Sequence, residues 1–114
     1  MIAREIGDRR GEGADLGNLG NAYRNLGQVE KAIGHYEDAL VIAKEIGDRR
    51  NEGVWLGNLG LAYSYLGQVE KAIECYEDAL TIGKEIKDPR IIDFCEQNLV
   101  SVKNSGDLKL SSLE

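Results

Sequence analysis

Apolar and small residues recur along residues 16–26 at intervals of three and four. They occupy one face of an α-helix with 3.6 residues per turn, and they are Leu16, Leu19, Gly20, Tyr23 and Leu26. A second stripe with helical spacing follows, formed by Ala32, Ile33, Tyr36, Ala39, Leu40 and Ala43. The pattern therefore predicts a pair of amphipathic helices within an all-α fold.

The helix pair is repeated after forty residues. When residues 7–46 are laid over residues 47–86 without a gap, 30 of the 40 positions are identical. Self-similarity at a fixed period of this size predicts a solenoid, in which each unit buries its apolar face on its neighbours. Residues 1–6 match the tail of a unit, and residues 87–104 match the start of a third unit that is heavily altered. The chain is thus expected to hold about two and a half repeats and to be a fragment of a longer repeat protein.

Helix ends are marked by aspartates and glycines. Asp8 and Asp48 are suitable N-caps. Gly27, Gly47 and Gly67 stand where a left-handed residue would end a helix. Inside the helices, Gly20 and Gly60 lie on the apolar face, where a missing side chain allows two helices to approach closely.

A fifth and last helix is predicted after the second unit, and it is expected to be a cap on the last repeat. It would start at Asp88 and Pro89, with Lys87 as the preceding stop, and would run to about Asn104. Ser105-Gly106 is expected to end it, and a polar tail would follow over residues 105–114. Leu113-Glu114 is typical of a cloning site before a C-terminal tag, so no function is expected of the last four residues.

Composition excludes several classes of function. The net charge of -6 argues against an electrostatic grip on nucleic acid. No apolar run approaches the roughly 18 residues of a membrane span, and the first ten residues do not have the form of a secretory signal. A cytoplasmic protein without membrane attachment is therefore expected. The two cysteines, Cys75 and Cys95, form no CxxC motif and are expected to be reduced thiols.

Candidate catalytic groups are few, and each has a simpler explanation. His35 is replaced by Cys75 in the second unit, which is unexpected of a catalytic or metal-binding residue. The neighbouring Glu37 and Asp38 do not face each other on a helix. The doublets Arg9-Arg10 and Arg49-Arg50 could hold an acidic partner but are more often surface charges. We therefore expect no enzyme activity, no metal and no cofactor.

The segments LGNLGNAYRNLGQVEKAIGHYEDAL and LGNLGLAYSYLGQVEKAIECYEDAL strongly resemble the tetratricopeptide repeat. The first unit fills that family's pattern with Leu16, Leu19, Gly20, Tyr23, Ala32, Tyr36 and Ala39. The second fills it with Leu56, Leu59, Gly60, Tyr63, Ala72, Tyr76 and Ala79. The period is longer than the usual thirty-four residues, and Lys44 and Lys84 stand where a proline is common. This longer form is similar to repeats of G-protein-signalling modulators, kinesin light chains and bacterial regulators.

The resemblance implies a right-handed superhelix of antiparallel helix pairs. It also implies that the first helices of the units line a concave groove that binds peptides or partner proteins. On each first helix, the stripe opposite the buried face is the candidate groove surface. The stripe is formed by Ala14, Asn18, Asn21 and Asn25, then Val54, Asn58, Leu61 and Tyr65, then Phe94, Asn98, Ser101 and Ser105.

Two features of this stripe suggest ligand contacts. Asn18, Asn58 and Asn98 recur at forty-residue spacing, and an amide can both donate to and accept from the backbone of an extended peptide. The resemblance implies the same role for asparagines at this position. A chance match or a helix cap is the alternative for Asn98.

The second feature is apolar. Val54, Leu61 and Tyr65 would form a binding patch if they are exposed together, although packing could bury them. Packing is the favoured explanation for Trp55, which lies off the stripe. Gly17 and Gly57 stand where a lysine is expected in the carboxylate-clamp type of repeat, so that type of site is not expected.

A peptide-binding module is the leading hypothesis for function. A self-association element is the alternative, because fewer than three full repeats leave the ends of the solenoid open to a second copy.

Overall fold

The structure is a computed structural model that describes the backbone of residues 3–113 and the side chains of residues 7–104. This part of the chain forms α1 (Ala3–Asn25), α2 (Val29–Ile46), α3 (Arg49–Tyr65), α4 (Val69–Ile86) and α5 (Pro89–Leu113). The expected all-α fold is confirmed.

Consecutive helices pack against each other along the whole array. Contacts join α1 to α2, α2 to α3, α3 to α4 and α4 to α5, and α3 also touches α5. Because the connections are only two or three residues long, neighbouring helices run antiparallel. The first helices of the second and third units, α3 and α5, therefore run parallel and lie side by side.

The predicted stops occur where the glycines stand. Gly27, Gly47 and Gly67 have φ of 80°, 70° and 74°. Lys87 takes the place of Gly47 in the second unit and also adopts the left-handed conformation, with φ of 56°. A lysine in this region is strained in a way that a glycine is not.

Of the three expected aspartate N-caps, Asp48 and Asp88 are present. Asp48 accepts a hydrogen bond from the backbone N–H of Asn51 at 3.2 Å, and Asp88 accepts one from Arg90 at 3.0 Å. The prediction for Asp8 is wrong, because α1 continues through Gly7 and Asp8. A turn at Gly7 would end a helix too short to be stable alone, whereas continuing the helix adds hydrogen bonds.

The last helix also differs from the prediction. Its backbone remains helical through Ser105 and Gly106 as far as Leu113. A glycine within a helix costs only about 1 kcal/mol, and it becomes a stop when the chain turns back to pack. Leu108, Lys109 and Leu110 after Gly106 favour helix, and the expected polar tail is helical in its backbone as far as Leu113.

The core is built around Tyr36 and Tyr76, which are almost completely buried. A Cβ at Gly20 would lie 2.7 Å from the Tyr36 ring, and one at Gly60 would lie 2.7 Å from the Tyr76 ring. These distances are too short for any side chain. The predicted role of both glycines in close packing is confirmed.

The predicted core of α1 is wrong at two positions. Leu19 is 46% exposed and Leu26 is 70% exposed, whereas Leu59, the counterpart of Leu19, is 4% exposed. Leu59 is covered by α2, in a cluster with Ile33 and Tyr36. In the described part of the chain, no helix covers the side of α1 that bears Leu19. Leu26 lies in the connection after α1, where its counterpart Leu66 is exposed as well.

Candidate functional site

Two clefts lie along α5, one between α3 and α5 and the other between α5, the end of α3 and the start of α4. The first, which we call the apolar cleft, has a volume of about 190 Å³. It is lined by Gly53, Val54, Gly57, Asn58, Arg90, Ile91, Phe94 and Cys95. The second, the polar cleft, has a volume of about 170 Å³. It is lined by Ser64, Gly67, Val69, Tyr76, Asn98, Ser101 and Val102.

The predicted groove residues are only partly brought together. Val54 and Asn58 share the apolar cleft with Phe94, and Asn98 lies in the polar cleft with Ser101. Asn18 and Asn25 are exposed on α1 and line neither cleft. The structure thus brings Val54 and Asn58 of α3 next to Phe94 of α5, and we call the surface formed by these two helices the α3–α5 face.

The amide side chains differ in how much of their hydrogen-bonding capacity is in use. Asn98 donates from Nδ2 to the carbonyl of Phe94 at 2.7 Å, one helical turn back. Its Oδ1 makes no hydrogen bond to the described residues. Asn58 is half-buried and makes no side-chain hydrogen bond to them, so both its donor and its acceptor remain available.

Asn21 has a structural role that the sequence reasoning missed. Its Oδ1 accepts a hydrogen bond from the hydroxyl of Tyr36, which reaches across from α2. In the second unit, Leu61 replaces Asn21, and the hydroxyl of Tyr76 is buried with no hydrogen-bond partner among the described residues. The forty-residue alignment shows that Asn21 becomes Leu61 while the tyrosine is kept, but it does not show that these side chains meet.

The three apolar groove candidates do not form a single exposed patch. Tyr65 is 61% exposed, but Val54 and Leu61 are half-buried. Val54 packs against core residues and also lines the apolar cleft, and Leu61 packs against the cluster that contains Tyr76. Of the three, Val54 is the residue that the structure places at a cleft. Trp55 is 6% exposed and packs in the core, in agreement with the packing role expected for it.

The arginine doublets hold successive helices together. Arg9 pairs with Glu12 and with Glu45 on α2, and Arg49 pairs in the same way with Glu52 and Glu85. Hydrogen bonds to these carboxylates raise the pKa of both arginines.

The second arginine of each doublet pairs with the cap of the next first helix. Arg10 lies 3.1 Å from Asp48, and Arg50 lies 3.4 Å from Asp88. These cations are engaged within the protein, which leaves less capacity for an acidic partner. Arg90 is the third member of this series and has no carboxylate within 4.0 Å among the described residues.

Sequence reasoning did not select Arg90, Ile91 or Cys95, although all three line the apolar cleft. The alignment of Arg90 with Arg50, next to Phe94 of the candidate stripe, was the available signal. The depth of the cleft had no such signal, because it depends on how α3 and α5 pack.

The thiol of Cys95 at the apolar cleft and the hydroxyl of Tyr76 at the polar cleft are held in their neutral forms. Burial raises the pKa of the Cys95 thiol from 9.0 to about 11, and burial, helped by nearby acidic side chains, raises that of Cys75 to about 11. Burial also raises the pKa of Tyr76 to about 12. A thiol that keeps its proton is a poor nucleophile. The clefts therefore offer shape, hydrogen bonds and one cation, which suits binding.

Other kinds of site find little support in the described residues. No three His, Cys, Asp or Glu side chains gather there as a metal ion would need. None of the helices described has the length and apolar character required to cross a membrane.

The comparisons with known proteins agree with the helix-pair architecture. No curated protein matches the chain. The profile of the family described as Tetratricopeptide repeat matches residues 14–85, which span most of the first unit and nearly all of the second. Repeats of this kind serve as non-catalytic scaffolds for protein–protein interaction. The chain therefore belongs to the tetratricopeptide repeat family.

Proposed function

We propose that this protein binds an extended segment of a partner protein on the α3–α5 face. The observation that carries the proposal is the apolar cleft, which opens between two parallel first helices and holds Val54 and Asn58 side by side. An apolar pocket with a few well-placed polar groups is the usual form of a ligand site. The sense of the superhelix and the concavity of this face remain predictions from the resemblance.

Asn58 is the residue best placed to bind the backbone of such a segment. Its amide makes no side-chain hydrogen bond to the described residues, whereas the Nδ2 of Asn98 donates to its own helix. Asn18, Asn21, Asn25, Leu61 and Tyr65 remain predicted contacts, and Asn21 would have to share its Oδ1 with Tyr36.

The test uses a peptide selected from a random displayed library against the wild-type protein. We expect Asn58→Ala to weaken binding of that peptide about three- to tenfold, the effect of losing one hydrogen bond. Fluorescence anisotropy measures the affinity, and circular dichroism checks that helicity is unchanged. Gln97→Ala is the control, because Gln97 is exposed on α5 and lines neither cleft. Equal affinity of the Asn58 variant and the wild type would remove this residue from the site.

Self-association through the ends of the array is the alternative. The 46% exposure of Leu19 on the uncovered side of α1 favours it. Asp15, however, is the counterpart on α1 of the buried Trp55 on α3. The uncovered side of α1 therefore carries a charged residue, which disfavours apolar contact with a second copy. Sedimentation equilibrium decides the matter, since a strict monomer at high protein concentration excludes this alternative.

A further inference from the structure

Successive first helices are separated by two crevices, and only one of them is filled by the protein itself. Between α1 and α3, the Trp55 ring lies where Gly17 leaves room, and a Cβ at Gly17 would be 2.1 Å from it. Trp55 is 6% exposed and stacks near Tyr36, with ring centroids 6.2 Å apart. About 10 Å³ of free space remains beside it.

The crevice between α3 and α5 lacks this tryptophan. Cys95, which aligns with Trp55, is much smaller. Phe94 leans on Gly57, where a Cβ would lie 3.2 Å from its ring, and meets Tyr76 edge-on with centroids 6.1 Å apart. The remaining space is the apolar cleft of about 190 Å³. A dry cavity of about 150 Å³ is known to hold benzene, so this cleft has room for one apolar side chain of leucine or phenylalanine size.

Arg90, a cation with no carboxylate partner among the described residues, stands at the same cleft. Arg10 and Arg50 pair with the aspartate caps of the following first helices. Arg90, the third in the series, is exposed, lines the cleft and has no such pair among the described residues. An unpaired guanidinium beside an apolar pocket favours a ligand that carries a carboxylate close to an apolar group.

We propose that the apolar cleft takes a leucine-like side chain of an extended partner segment, and that Arg90 pairs with an acidic side chain two residues from it. In an extended segment, side chains two apart lie on the same face, so both would point at α3 and α5. The proposal rests on the peptide-binding function above and adds the class of segment.

The probe is the peptide Ac-Asp-Ala-Leu-Ala-Asp-NH2, which places an acid two residues away on either side of the leucine. Titration into the ¹⁵N-labelled protein is followed by the backbone amide shifts of Gly53, Gly57 and Asn58. We expect replacing the leucine of the probe by alanine to weaken binding at least tenfold, because most of the apolar burial is lost. Replacing both aspartates by asparagine should weaken it up to about fivefold at low salt, as expected for an exposed ion pair.

Two protein variants separate the pocket from the cation. Arg90→Glu should reverse the preference, so that a lysine-flanked probe binds better than the aspartate-flanked one. Lys103→Glu is the control, because it makes the same change in charge on α5 at a residue that lines neither cleft. Cys95→Trp should fill the cleft with the side chain that its counterpart Trp55 uses, and should abolish the dependence on leucine. If that variant does not fold, Arg90→Glu still decides.

The proposal is overturned if the leucine and alanine probes bind equally, or if Arg90→Glu leaves the preference for acidic probes unchanged. The preference is a stringent criterion, because a protein of net charge -6 repels acidic peptides in general. The wild-type protein could bind its library-selected peptide through Asn58 and show no binding of the leucine probe. That result would refute the assignment of the leucine pocket and Arg90 but not the peptide-binding function. If no library peptide binds at all, the function proposed above fails as well.

Discussion

Tyr36 and Tyr76 occupy the same place in successive units, but within the described part of the chain only the hydroxyl of Tyr36 has a hydrogen-bond partner. Tyr36 donates to Asn21, whereas Leu61 faces the corresponding position near Tyr76 and cannot accept. Ser64 lies beside Tyr76 in the polar cleft and lowers the pKa of its hydroxyl, against the larger effect of burial. The two hydroxyls nevertheless do not meet with the geometry of a hydrogen bond, and that of Ser64 donates to the carbonyl of Leu61 at 2.6 Å. A buried hydroxyl without a partner costs free energy, so the two tyrosines contribute differently to stability.

The matched variants Tyr36→Phe and Tyr76→Phe test this difference. We expect Tyr36→Phe to lower the free energy of unfolding by about 1 kcal/mol, because it leaves the half-buried Oδ1 of Asn21 without its donor. Tyr76→Phe should be neutral or slightly stabilising, since it removes an unsatisfied polar group. Urea denaturation measures both, and equal losses in the two variants would contradict the account.

Single residues were predictable from the sequence where the repeat fixed their surroundings. The close-packing role of Gly20 and Gly60 follows from helical spacing and is confirmed. The pairing of Asn21 with Tyr36 could not be predicted, because it depends on how far a side chain of α2 reaches across α1. The same holds for Arg90: that it has no carboxylate partner among residues 7–104 is visible only once the ion pairs of Arg10 and Arg50 are known.

At the scale of the helix, Lys87 is the strained counterpart of Gly47. Both end a second helix in the left-handed conformation, with φ of 56° and 70°. In both, the backbone N–H of this residue donates a hydrogen bond to a carbonyl in the last turn of the helix: Lys87 to that of Lys84, and Gly47 to that of Lys44. The side chain of lysine makes this conformation costly, and glycine relieves the cost.

The reciprocal variants Lys87→Gly and Gly47→Lys should therefore move stability in opposite directions. We expect Gly47→Lys to lower the free energy of unfolding by about 1 kcal/mol. Lys87→Gly should raise it by up to about 1 kcal/mol, less the entropy that glycine adds to the unfolded chain. Chemical denaturation with matched helicity checks both, and a loss of stability in the glycine variant would show that strain at Lys87 is not important.

Helix ends were predictable wherever the chain turns back to pack. The three left-handed glycines and the caps Asp48 and Asp88 fall at such turns. Asp8 and Ser105-Gly106 carry similar residues, yet the helix continues through both. Turn-forming residues stop a helix only where packing of the next helix offsets the lost hydrogen bonds, and a local sequence does not contain that information.

At the scale of the molecule, the predicted groove stripe carries no charged residue. The charged residues make up 30% of the chain, but the predicted groove stripe on α1, α3 and α5 contains none of them. The arginine doublets are used in ion pairs between successive helices. An overall acidic protein thus presents an uncharged face with Arg90 at its edge, which fits recognition by shape and hydrogen bonding more than by general attraction.

Three groups shielded from solvent make the free energy of unfolding depend on pH in the alkaline range. Burial raises the pKa of Cys75 and Cys95 to about 11 from 9.0, and that of Tyr76 to about 12 from 10.0. The folded protein therefore holds these protons more tightly than the unfolded chain does. Their contribution to stability is complete below pH 9 and is lost as the pH rises from 9 to 12.

We accordingly expect the free energy of unfolding to fall steadily above pH 9, measured by urea denaturation at fixed ionic strength. The control is the double variant Cys75→Ala and Cys95→Ala, which should lose the part of the decline that lies between pH 9 and 11. A wild-type protein whose stability is constant from pH 9 to 11 would show that the thiols are not protected by the fold.

The difference between Trp55 and Cys95 has a consequence for how a partner would be aligned. In an array of near-identical units, a bound segment can shift by one unit at little cost, because successive crevices offer the same contacts. Here the tryptophan occupies the crevice at Gly17, and the next one is open. A segment whose anchor needs an open crevice can bind between the described first helices in one register, so two similar units yield a single, defined alignment.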